Sequence, residues 1–121
     1  MAGKAVTQLK RYYIGDNDWD EFLAVWREIA KVRQRAGFSI PFALVDRENN
    51  VLTWAVSHPD FAEGAARYYA EPTRKAVSRT DYDPQTQTYS DAPERAGQKN
   101  IEDYIVRAEI DWVSEEPIPS I

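Results

Sequence analysis

The residues best suited to chemistry gather in one stretch, "RYYAEPTRKAV", residues 67–77. It sets two phenols, Tyr68 and Tyr69, ahead of a guanidinium, Arg74, with Pro72 between them. On a helix, Phe61, Ala65 and Tyr68 are spaced four and three apart, so they share one side and must bury it. Tyr69 is turned by about 100° from Tyr68 and stands on the flank beside the small Ala62 and Ala66. Pro72 lacks an N–H, so the carbonyl of Tyr68 loses its usual helical donor and the helix must kink or stop there. Two readings are open. In one, Tyr68 is core, Tyr69 packs on the flank, and Arg74 hydrogen-bonds the broken helix end. In the other, the kink shapes a pocket where tyrosine hydroxyls and the guanidinium hold an anionic or carbonyl group.

Other candidates are more scattered. His58, in "SHPD", is the only histidine. Histidine is the residue type that most readily exchanges a proton near neutrality, so His58 and Tyr69 are the candidates for proton transfer. The alternative for His58 is a turn residue that supports Asp60 as a helix cap. Trp26 and Trp54 are either core or walls of an aromatic cavity. With Tyr12 on the first strand, they complete a candidate ligand-binding set of Tyr12, Trp26, Trp54, Tyr68, Tyr69 and Arg74. Arg11 lies opposite Arg107, Glu109 and Asp111 in the expected sheet, which reads as cross-strand ion pairing or as a polar site inside a barrel.

Composition removes several function classes. The chain has 121 residues and a formal net charge of -5. Its basic residues are interspersed with acids, so no nucleic-acid partner is expected. There are no cysteines, which excludes disulfides and thiolate chemistry. One histidine and no cysteine leave no metal site of the usual kind. Neither an apolar leader nor an apolar run of membrane-spanning length is present, so no signal peptide and no membrane association are expected, and the cytoplasm is the expected location. No cofactor is expected.

The elements that must position these residues are legible from periodicity. "VTQLKRYYI", residues 6–14, reads as a strand ending at Gly15. Asp16 or Asn17 can cap the helix that follows, in which Trp19, Phe22, Trp26, Ile29, Ala30 and Arg33 recur at helical spacing. Gly37 suits its C-terminal cap. "FSIPFALVD" and "VLTWAVS" form a hairpin through "RENN", with Asn49 and Asn50 tolerating positive φ. Pro41 assigns the first hairpin strand to a sheet edge or a bulge. A second helix opens at Asp60. Residues 79–100 are polar and turn-rich and read as a long loop. "IEDYIVRAEIDWV" is the last strand, with Tyr104, Val106, Ala108, Ile110 and Trp112 on one face. Residues 114–121 read as a tail.

The order β-α-β-β-α-β predicts a ferredoxin-like α+β domain over residues 1–113, an antiparallel sheet with both helices on one face. The hairpin strands are apolar on both faces, so the second face needs a cover. A second copy of the chain is the simplest one, giving a homodimeric α+β barrel.

At this point the residues resemble a family. "LKRYYI", "DEFLAVWREIAKVRQRAGFSIPFALVD" and "NNVLTWAVSHPDFAEGAARYYAEPTRKAV" are similar to bacterial NIPSNAP-type proteins of the dimeric α+β barrel superfamily. Phe22, Trp26, Arg33, Gly37 and Phe38 resemble the family's first helix and its exit. Trp54, Phe61, Tyr68, Tyr69, Pro72 and Arg74 resemble its third strand and second helix. The resemblance covers residues 8–77, after which the polar segment from Thr80 to Asn100 is longer than in similar chains. It implies the fold and the homodimer, and the aromatic candidates add the expectation of a small apolar or aromatic ligand. It implies no single reaction: the superfamily holds plain binders, cofactor-independent oxygenases and cyclases, and haem-degrading enzymes. A small-molecule-binding or interaction protein is the leading expectation. A cofactor-independent monooxygenase or cyclase acting on an aromatic or polyketide-like substrate is the alternative.

Overall fold

A computed structural model describes residues 6–15 and 19–120. Strand β1 (Val6–Ile14) leads to helix α1 (Trp19–Arg35), strands β2 (Ala43–Asp46) and β3 (Val51–His58), helix α2 (Phe61–Ala70) and the short helix α3 (Pro72–Lys75). A small hairpin, β4 (Thr80–Asp83) and β5 (Thr88–Asp91), precedes the last strand β6 (Ile105–Val113). The four long-range strands form one antiparallel sheet in the order β2-β3-β1-β6. This is the ferredoxin-like α+β arrangement expected from the order of elements. The Asp16 and Asn17 caps lie outside the described residues.

Register decides which side chains meet the helices. Lys10 pairs with Trp54 and with Ile110, and Tyr12 pairs with Leu52 and with Ala108. Directly paired residues share a face, and Trp54 stacks edge-on against Trp26 of α1 with centroids 5.4 Å apart. The even-numbered residues of β1, β3 and β6 therefore face the helices. Leu9, Arg11 and Tyr13, with Ala55, Thr53 and Val51 opposite them, face away. The core is built from Phe22, Ile29 and Val32 of α1, Leu52, Trp54 and Val56 of β3, and Tyr68 of α2.

Each helix ends for a local reason. Gly37 takes φ +93°, and the N–H of Phe38 returns to the carbonyl of Arg33 at 3.0 Å, closing α1. Asp60 caps α2, its carboxylate accepting the N–H of Glu63 at 3.3 Å. At Pro72 the chain does more than stop. Glu71 turns to extended backbone and donates its N–H to the carbonyl of Tyr68 at 3.2 Å, and Pro72 opens α3. Proline suits that first helical position because its missing N–H would find no partner there.

Two expectations change. Of the two turn asparagines, Asn50 alone has positive φ among the described residues, at 58°. The segment read as a long loop holds the β4–β5 hairpin. Tyr82 lies directly across from Tyr89 there, and both pack on Tyr69, with centroids 5.3 and 5.6 Å away. Aromatic contact with α2 supplies what the polar sequence lacks, and Gln87 at φ 56° makes the turn.

Candidate functional site

A cavity of about 580 Å³ opens between the sheet and the α2–α3 connection. Its floor is Gln8, Lys10 and Tyr12 of β1 with Ala108 and Ile110 of β6. Ile29 and Arg33 of α1 form one wall, and Tyr68, Tyr69 and Arg74 the roof. Thr80 and Tyr89 of the hairpin close one side. Val106 lines the cavity and is 73% exposed, so the mouth lies along the β6 edge.

Of the residues singled out in the sequence, Tyr12, Tyr68, Tyr69 and Arg74 border this cavity. Trp26 and Trp54 do not. They stack on each other within the core, and Lys10 stands between Trp54 and the open space, its Nζ 5.7 Å from the indole centroid. His58 does not join the others either. It is buried between the end of α1 and the start of α2, where Nδ1 accepts the N–H of Asp60 at 2.8 Å and Nε2 lies 3.2 Å from the carbonyl of Ala36. A neutral ring protonated on Nε2 satisfies both contacts. His58 is thus a strut between helices, close to the turn role and far from the pocket-mouth role.

Arg74 does not serve the broken end of α2, and it borders the cavity. It turns inward, fully buried. Nη1 donates to the hydroxyl of Ser78 at 2.9 Å, Nη2 donates to the carbonyl of Thr80, and Asp81 lies 3.6 Å away. Its guanidinium sits 4.6 Å from the Tyr69 ring centroid. Arg74 therefore anchors the hairpin to the α2–α3 connection and holds the cavity roof.

Lys10 and Arg33 went unremarked as site residues. Arg33 was legible only as part of the buried stripe of α1, where it replaces an apolar residue. It is 2% exposed, and its Nε and Nη1 find no hydrogen-bond partner. Its guanidinium lies over Tyr68 at 3.7 Å and near Phe38 at 4.8 Å. Lys10 shares the helix-facing parity of Tyr12, and that parity was the available signal. Burial, assisted by the charge of Arg33, holds its amine well below the ordinary lysine range. Burial likewise pushes the phenols of Tyr12 and Tyr68 up, so both stay protonated. Glu102 also borders the space, but its carboxylate is held by the Ser78 hydroxyl at 3.0 Å and by the N–H of Arg79 at 2.5 Å.

Comparison with known proteins adds the fold. No family model and no curated protein matches the chain. Among solved structures, the chain is similar to an uncharacterized NIPSNAP domain protein from Burkholderia xenovorans, at 14% identity and TM-score 0.59, covering 96% of this chain and 99% of that one. It is also similar to a Bacteroides thetaiotaomicron protein named as a candidate antibiotic biosynthesis monooxygenase, at 20% identity and TM-score 0.63, covering 100% of this chain and 97% of that one. At these identities the likeness is one of fold, which agrees with the ferredoxin-like α+β fold expected from the sequence.

Proposed function

We propose that this chain, which has the fold of the dimeric α+β barrel proteins, binds a small organic molecule in the cavity between sheet and helices and acts as a homodimer. The cavity itself carries this reading. Its volume of about 580 Å³ falls within the range of small-molecule sites, and its mixture of aromatic walls and a few convergent polar groups is typical of them. Tyr12, Tyr68 and Tyr69 are the aromatic contacts in this reading, with Arg74 bracing the roof. Binding is favoured over catalysis because His58, the candidate base, is turned away from this space and engaged on both ring nitrogens.

The second copy is proposed from the sheet. Its helix-free face carries Phe42 and Leu44, which are 38% and 61% exposed, beside Leu9 and Val51. A sheet face of this kind gains by being covered.

Native mass spectrometry of the protein as isolated tests the binding reading. The expected result is a retained adduct of small-molecule mass, lost in Ala108→Trp, which fills the cavity from an exposed edge strand without disturbing the core. An adduct that persists in that variant places the ligand elsewhere and overturns the reading.

A further inference from the structure

Two basic side chains of this protein are deeply buried, and both face the same space. Arg33 and Lys10 are 2% and 5% exposed, and both line the cavity. Among the described residues neither forms an ion pair, whereas Arg74, Arg79 and Arg95 all do. Arg33 leaves two nitrogens unpartnered. A guanidinium keeps its charge when buried, and stacking on Tyr68 and Phe38 offsets only part of the cost of taking it out of water. Glu102, the cavity's own carboxylate, is already committed to Ser78 and the Arg79 backbone.

From this geometry we infer that Lys10 and Arg33 form the anchoring subsite of the cavity for a singly charged organic anion, a carboxylate carried on an apolar, ring-sized body. This deepens the small-molecule reading above and rests on it. The anion sits at the inner end, between β1 and α1, against the guanidinium of Arg33 and the amine of Lys10. The body extends past Tyr68 and Tyr69 toward Ala108 and Ile110, which offer rings and aliphatic surface. The charge count argues for one negative charge. Arg33 supplies the one guanidinium of the subsite, while burial and Arg33 together lower the hold of Lys10 on its proton. A neutral Lys10 still donates hydrogen bonds to the same anion. A dianionic phosphate would be left under-neutralised.

The test is titration calorimetry of the intact protein with three probes that share one ring system: 2-naphthoate, its neutral methyl ester and 2-naphthyl phosphate. A hydrogen bond to a charged group, worth about 1.5–3 kcal/mol, corresponds to a preference of roughly ten-fold or more for the acid over the ester. In Arg33→Met that acid-to-ester preference should collapse to about two-fold or less, since the charged contact is removed. Lys10→Met should lower the acid-to-ester preference as well. Equal binding of acid and ester by the unmutated protein overturns the anion subsite and leaves the cavity as a ligand site. Binding of none of the three overturns the anion subsite for a ring-sized acid and leaves the small-molecule reading to the native mass spectrum. Phosphate bound more tightly than carboxylate overturns the single-charge assignment. The comparison in the unmutated protein decides even if Arg33→Met does not fold.

Discussion

At the residue scale, Arg74 and Lys10 show how burial reverses an ordinary expectation. At an exposed helix end, Arg74→Ala would cost no more than about 1 kcal/mol. Here the guanidinium is buried against Ser78, Thr80 and Asp81. Its loss takes a donor from Ser78 and from the Thr80 carbonyl, while Ser78 keeps Glu102 and Asp81 keeps Arg95, and should cost about 1–3 kcal/mol, read as a fall in the urea midpoint. Tyr69→Phe is the control and should shift the midpoint little, because the ring contacts with Tyr82 and Tyr89 survive. Lys10 makes a pH prediction. Its folded pKa lies below the ordinary lysine value. Between the two values the unfolded chain holds a proton that the folded chain lacks, so stability rises with pH. Above about pH 10 unfolded tyrosines ionise while Tyr12 and Tyr68 keep their protons, and the trend turns downward. Urea midpoints across about pH 7 to 10 should climb in the natural protein and flatten in Lys10→Met. An equal climb in the variant would assign the effect to another group.

At the element scale, the strands and long helices were legible because their apolar periodicity is strong. α1 buries the stripe Trp19, Phe22, Ile29, Ala30 and Arg33 that its spacing marks out. The β4–β5 hairpin was not legible, because Thr80–Asp83 and Thr88–Asp91 carry one tyrosine each and no aliphatic side chain. Their support comes from Tyr69 on a distant element. Gly64 makes the same point within α2. Helix propensity alone predicts that Gly64→Ala gains about 1 kcal/mol. A Cβ there would sit 2.5 Å from Cδ2 of His58, so the strut must shift and overpacking costs about 1–3 kcal/mol. The clash should win. A thermal midpoint lowered by Gly64→Ala is the expected result, and a raised one would show that His58 moves freely.

At the scale of the whole molecule, the helix-free face of the sheet predicts a dimer. Light scattering should give a mass near twice 13.9 kDa. Leu44→Asp should halve it with little change in melting of the isolated chain, since Leu44 is 61% exposed within one copy and exposed substitutions are nearly neutral. The companion expectation, that one face of β2 is core, does not hold. Ala43, on the helix-facing side, is exposed as well, because this edge strand runs beyond the helices. An unmutated protein of single-chain mass would remove the barrel proposal and leave the protomer fold untouched.

Periodicity and turn chemistry determined the order of the four strands of the main sheet and the two long helices, the topology of that sheet and the approximate limits of both long helices, because those depend on which side of each element is apolar. Tyr68 as core and Tyr69 as flank followed from helical geometry alone. Only the tertiary structure decided the site. Whether Trp54 faces a ligand or a neighbouring indole, whether Arg74 reaches outward or braces a hairpin, and whether Arg33 meets a carboxylate or an empty space depends on what distant segments bring to the same point. A sequence pattern records burial along one element, whereas a cavity is a shortfall of packing among several. The unpaired charge of Arg33 is visible only once β1, α1 and the α2–α3 connection have been laid against one another.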